Sequence, residues 1–312
     1  MSGLSSLVLV LSSVTFAGSV PLDVQLLAEP APVPAQVSLF APVPGAQATT
    51  MADLQDAFGL TGIPAEVDTQ DLHGGLEHLE TDGFHLWSFA DGSGEMHDLV
   101  GLKTEAIVEP LPPGAVLTAA DELLGDLGLF DVPGVDLQPA RVGAHTLTRR
   151  GPNGELIEQG VVLQTAHYQQ SFEGLPGVGG GAVVDLIVAP QDHAVVALNH
   201  AVRPVQAVGV VDVMPLEQAV EMLGERARFE GRFNLVKAGV AQPERAIIES
   251  AELAVFVPDA SQGAETYEPV WVLSGVVEGT DAEGVPASVD LLWMEPAGQG
   301  RDLPALEVNP LR

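Results

Sequence analysis

Cysteine is absent from all 312 residues. That excludes disulfides, thiol nucleophiles, cysteine-ligated zinc and a lipid-modified N-terminal cysteine. Positive charge is nearly as scarce. Twelve Lys and Arg stand against 43 Asp and Glu, for a formal net charge of −31, and no basic residue precedes Lys103. A surface this negative repels phosphate backbones and anionic lipid headgroups, which sets aside nucleic-acid and membrane-surface binding. It favours solubility, divalent cations and basic protein partners. Aromatic residues make up only 5% of the chain, so Trp87, Trp271 and Trp293 read as strand packing rather than as a sugar platform. Catalytic signatures are missing too: neither His-Glu-x-x-His nor Gly-x-Ser-x-Gly occurs anywhere. With 43 carboxylates, no glycosidase pair stands out. The chain reads as a non-enzyme.

Apolar residues, by contrast, reach 46%, enough for a substantial core. The length suggests about two domains. Residues 1–20, "MSGLSSLVLVLSSVTFAGSV", hold an apolar run of signal-peptide length that ends in small residues but lacks a basic start. The run is too short and too rich in serine for a spanning helix. It reads as a signal peptide, which makes the protein secreted or cell-surface, with no integral membrane segment after removal. Residues 21–71 are dense in Pro and Ala, as in "AEPAPVPAQVSLFAPVPG", and predict a disordered linker.

The body begins near Leu72. "FHLWSFADGSGEMHDLVG" predicts a hairpin turning at Asp91-Gly92-Ser93-Gly94, within a small β region over 72–112. "PLPPG" then breaks the chain. A helix follows, with Thr118 as its N-cap and Ala120, Leu123, Leu124, Leu127 and Phe130 on one face. Strand-like segments come next, up to about Val202. The arrangement then recurs: Pro215 opens a helix carrying Leu216, Ala219, Val220, Leu223 and Ala227, and three more strands follow it. A helix and then several strands, twice over, predicts an α+β fold of two units over 113–211 and 212–312. Each would be a helix packed on an antiparallel sheet.

Gly177, Gly179 and Ala182 have the G-x-G-x-x-A spacing of a dinucleotide loop. Such a loop needs a helix after it, whose N-terminus carries the phosphate. Here "AVVDLIVAP" follows, a strand, and no acid stands near His200 to take a ribose hydroxyl. The glycines therefore read as a hairpin connection. His73, His78, His85 and His97 cluster with Asp82, Asp91, Glu95 and Asp98, but their spacing suits no metal set well. Asp91, Ser93 and Glu95, and likewise Asp281 and Glu283, alternate as calcium ligands do without completing a loop. The expectation is no cofactor, beyond weak calcium binding at such turns.

The stretch "HYQQSFEGLPGVGGGAVVDLI" resembles the core motif of the fungalysin/thermolysin propeptide domain. The likeness rests on His167, Gln170, Phe172, Gly174, Leu175, Pro176, Gly179, Gly180 and Val183. It departs at Gly177 and Val178, where that family has Val and an aromatic. "PLEQAVEMLGERA", "AELAVFVPD", "YEPVWVLSGVV" and "ASVDLLWMEPA" resemble a PepSY-type domain. The resemblance implies an exported, non-enzymatic protein that binds a peptidase, or another protein with a basic surface, and inhibits or chaperones it. The alternative is a structural, envelope-associated module with no protease partner.

Overall fold

The computed structural model describes residues 23–28, 32–68, 76–104, 106–226, 240–258 and 266–299. The chain runs β1 (Asp23–Leu26), β2 (Gln36–Pro42), α1 (Met51–Ala57), β3 (Glu66–Asp68), β4 (Leu76–Glu80), β5 (Phe84–Phe89), β6 (Gly94–Asp98), α2 (Pro113–Asp126), β7 (Asp136–Arg150), β8 (Leu156–Phe172) and β9 (Leu175–Val178). It continues with β10 (Val184–Val188), β11 (Val195–His200), β12 (Val205–Asp212), α3 (Leu216–Arg226), β13 (Gln242–Phe256), β14 (Glu268–Thr280) and β15 (Pro286–Pro296).

Thirteen of the strands form one mixed sheet in the order β15-β14-β13-β9-β8-β10-β11-β6-β5-β4-β3, with β1 added on β13 and β7 on β8. The pairs β9–β13 and β1–β13 are parallel. β12 and β2 make a separate antiparallel pair. The α+β expectation of two helix-on-antiparallel-sheet units is therefore overturned. The protein is mostly β, with three α-helices among the described residues. A strand of four residues, β9, fuses what the element order suggested were two sheets.

The segment expected to be disordered also departs from its reading. Val37, Leu39 and Phe40 of β2 are buried, and β2 pairs with β12 along its whole length. Its one proline, Pro42, stands at the strand's last position, where a missing amide costs least. Thr50 caps α1 in a reciprocal capping box with Asp53, and Leu54 is fully buried. The predicted N-cap Thr118 lies inside α2 instead, its hydroxyl donating to the Gly114 carbonyl. α2 starts six residues earlier, with Pro112 as its N-cap, because Pro113 supplies the fixed φ that suits a first helical position. Phe130 falls beyond the helix, in a short 3-10 turn.

Two cores flank the seam. In the first, Val116, Ala120, Leu123 and Leu124 of α2 pack on Ala166, Tyr168, Leu186 and Leu198 from β8, β10 and β11. Tyr168 also donates its hydroxyl to Asp121 at 2.6 Å, tying helix to sheet. In the second, Leu216, Ala219 and Val220 of α3 pack on Ile248, Trp271 and Leu273. The Trp271 indole, almost wholly buried, satisfies its N–H on the Met214 carbonyl at 2.9 Å. Alternation is strict in the middle of β8: Gln164, Ala166, Tyr168, Gln170 and Phe172 are buried, while Thr165, His167, Gln169 and Ser171 face the other way.

Candidate functional site

That second face is where polar chemistry collects. Register pairs carry a single row of side chains across eight neighbouring strands: Glu66, His78, Trp87, Glu95, Asn199, Asp185, His167 and Arg141. Residues paired in register project from the same side of a pleated sheet. All eight are at least partly exposed, whereas their strand neighbours Leu79, Leu86, Met96, Leu186 and Leu198 are buried under the helices on the opposite face. At the usual strand spacing the row is on the order of 34 Å long. A parallel row adds Glu80, His85 and His97.

Trp87, third along the row, stands edge-on to both His85 and His97, with each pair of ring centroids 5.3 Å apart. His85 approaches Glu80 at 3.3 Å, and His78 approaches Glu66 at 3.6 Å. At the far end of the row, Arg141 donates to His167 Nε2 at 3.2 Å, and Asp185 holds His167 Nδ1. The guanidinium makes Nε2 the acceptor, so Nδ1 carries the proton and donates it to the carboxylate. Both ring nitrogens are thereby engaged, and His167 is held as a link in a surface chain.

The structure distributes the nine motif residues differently from a single contact patch. His167 alone lies on the polar face. Gln170 is buried and donates to the Gly181 carbonyl at 3.2 Å. Phe172 is fully buried, with ring centroids 5.5 Å from Phe40 and 5.7 Å from Tyr267. Gly174 and Glu173, with φ of 86° and 50°, form a two-residue turn that returns the chain into β9. Pro176 stands opposite Ser171, and Leu175 packs on both cores. The reading of the glycine run as the hairpin connection is thus corrected, because the turn is at Glu173-Gly174. Gly177 pairs with Val255 of β13, and Gly179 to Ala182 continue as a tight passage to Val183 and β10.

That passage is crowded for a reason. Gly181 donates to the Val257 carbonyl at 3.0 Å, and Val257 donates to the Val178 carbonyl at 2.7 Å. A Cβ on Gly181 would stand 2.3 Å from the Pro258 oxygen and 2.7 Å from an Arg203 nitrogen. Arg203, 7% exposed, is the cation of this seam. It donates to the Pro258 carbonyl at 2.9 Å, lies 3.6 Å from Asp91 and stacks 5.7 Å from the Tyr267 ring centre. Burial raises the Tyr267 phenol above its usual pKa. Sequence reasoning passed over Arg203; its one signal was a lone arginine in an otherwise apolar stretch.

The histidine cluster is divided. His73 lies outside the described residues. His78, His85 and His97 share the polar face, but no group of three or more metal-capable side chains converges among the described residues. Asp91 turns inward to Arg203 and accepts from the backbone and hydroxyl of Ser93 at 3.0 and 2.6 Å. Asp281 likewise accepts from the Glu283 and Val285 amides, at 2.8 and 2.9 Å. Both carboxylates serve as turn acceptors. No helix among the described residues is long and apolar enough to cross a membrane.

No family model matches the chain, and no curated protein matches it. Among solved structures, an uncharacterized protein from Eubacterium rectale is similar at 9% identity, over 91% of this chain and 90% of that one, with a TM-score of 0.42. The Bacillus megaterium YpeB C-terminal domain is a weaker neighbour: 9% identity, 79% of this chain, 95% of that one, TM-score 0.33. Neither likeness is close enough to carry a fold or a function across.

Proposed function

We propose that this protein is a non-enzymatic binding module whose open sheet face takes a cationic segment of another protein. One observation carries this reading: the eight-strand row from Glu66 to Arg141, spread along a line with Trp87 third from the Glu66 end. Such a line suits an extended, side-chain-rich ligand better than a small substrate held at one point. The face carries the carboxylates of Glu66, Glu80, Glu95 and Asp185 against the single guanidinium of Arg141, so a Lys- or Arg-bearing partner is complementary. Trp87 adds a ring on which such a cation can sit. The engagement of both His167 nitrogens supports the non-enzymatic part, since it leaves no free basic nitrogen there.

The partner class implied by the propeptide and PepSY resemblance is a peptidase, met outside the cell. The export part of that reading rests on residues 1–20, which lie outside the described residues. Calorimetry of the full chain against a panel of thermolysin-type peptidases, and against Lys/Arg-rich and Glu-rich peptides, separates the possibilities. Binding to basic peptides that is lost in Trp87→Ala and weakened in Glu95→Gln is expected. Failure across the peptidase panel removes the peptidase, and equal binding of acidic and basic peptides removes the face itself.

A further inference from the structure

Three histidines stand among the groups that would take a cationic partner. His78 pairs with Trp87 in register, His85 is two residues from it on β5, and His97 faces His85 from β6. The His85 and His97 rings both lie against the Trp87 ring. Glu66, on β3, stands 3.6 Å from His78, and Glu80, on β4, stands 3.3 Å from His85. All three imidazoles are partly exposed, so solvent protons reach them.

Histidine changes charge between about pH 5 and 8, a range in which ordinary Asp, Glu, Lys and Arg keep theirs. With neutral imidazoles, Glu66, Glu80, Glu95 and Asp185 against Arg141 give the face a formal charge of −3. Three imidazolium ions bring it to zero. The other charges nearby are fixed. Glu95 shares the face with His97 on β6, Asp98 turns to the Val100 and Gly101 amides, and Lys103 ends the 3-10 turn that packs on β6 and β11. From β11 the uncharged Ala197 faces His97. His167 is already engaged on both ring nitrogens, by Arg141 and Asp185, and is not counted.

We propose that His78, His85 and His97 make the open face a pH-gated binder, which holds a cationic segment at neutral pH and releases it as the pH falls. Protons would act on the same groups the partner uses. An imidazolium beside Glu66 or Glu80 takes up that carboxylate, and imidazolium ions at His85 and His97 occupy the surroundings of the Trp87 ring. The proposal rests on the open-face reading of this surface and adds its regulation.

Calorimetry of the full chain with an N-acetylated Lys/Arg/Gly peptide, whose charge is constant over the range, tests it at about pH 7.5 and pH 5.5. The quantity to read is the ratio of the two affinities. Binding should weaken roughly tenfold at the lower pH, because three exposed charge interactions of modest size are lost. In the double variant His85→Gln/His97→Gln the ratio should shrink to about twofold, whatever the absolute affinity. His193→Asn, in the turn before β11, should keep the parent's ratio. Circular dichroism should be the same at both pH values. Equal affinity at the two pH values overturns the gating and leaves the open face standing, whereas no binding at either removes both. A ratio that the double variant keeps also overturns the proposal, since a loss caused by unfolding would persist there.

Discussion

His200 offers the sharpest test of the packing at the seam. Its ring is 1% exposed, with Nε2 3.0 Å from the buried Thr49 hydroxyl and Nδ1 without a partner among the described residues. Protonation would place a second N–H where nothing accepts it. Burial accordingly lowers the His200 pKa from 6.5 to about 4, against the opposing pull of nearby Asp91. Arg203, which pairs with Asp91, is the neighbouring cation. The unfolded chain therefore binds a proton that the folded protein refuses between those two values. Stability from this site is complete above pH 6.5 and is lost as pH falls toward 4. The shift corresponds to about 3 kcal/mol, or roughly 5 °C in melting temperature for a cooperative unit of this size. Titration of the many carboxylates changes stability over the same range, so the quantity to read is a difference. His200→Gln keeps a polar atom near Thr49 and removes the titration. Calorimetric melts of both proteins at pH 7 and pH 4 should show the parent losing about 3 kcal/mol more than the variant. Parallel pH profiles would refute the reasoning.

Four further substitutions, Gly209→Ala as the control among them, probe the same joint and the helix docked beside it. Arg203→Leu strands the Asp91 carboxylate in a mostly buried site, and denaturant unfolding should register a loss of about 3 kcal/mol. Gly181→Ala forces a methyl group into the Pro258 oxygen and should cost about 1–3 kcal/mol. Gly209→Ala, where the nearest atom to an added Cβ is a Leu39 methyl at 3.8 Å, should stay within about 0.5 kcal/mol, so equal effects at the two sites would count against the crowding. Tyr168→Phe removes the hydroxyl that donates to Asp121 and should lower stability by about 1 kcal/mol; an unchanged melting curve would show that this bond holds nothing.

Local pattern carried much of the body. The hairpin at Asp91-Gly92 is where turn chemistry placed it, as is the strand after Gly181. Boundaries were less legible, because two signals compete at α2: Thr118 is a good cap, yet Pro113 is a better first residue. Prolines hid β2, since they flank its apolar alternation at Val37 and Leu39 and dominate the composition around it. The fold class failed for a non-local reason. The parallel pairing of Gly177 with Val255 leaves no trace in either segment, and without it the chain divides into two sheets. The polar face was visible only in part. His78, His85 and His97 cluster in sequence, but their alignment with Asn199, Asp185, His167 and Arg141 depends on the strand order β6-β11-β10-β8, which skips across the chain.

The pairing of β9 with β13 also imposes an order of events on synthesis. β1 pairs at Asp23 with Arg245, and β2 pairs at Gln36 with Asp212. Both N-terminal strands emerge first and must wait for partners made much later. β9 likewise presents an unpaired edge until β13 arrives. A nascent chain ending at Asp212 should expose two strand edges and the apolar side of β9, a state that invites aggregation or a chaperone. Pulse-labelling exchange during refolding should then show the amides of Gly181 and Val257 protected last, after those that join β5 to β6.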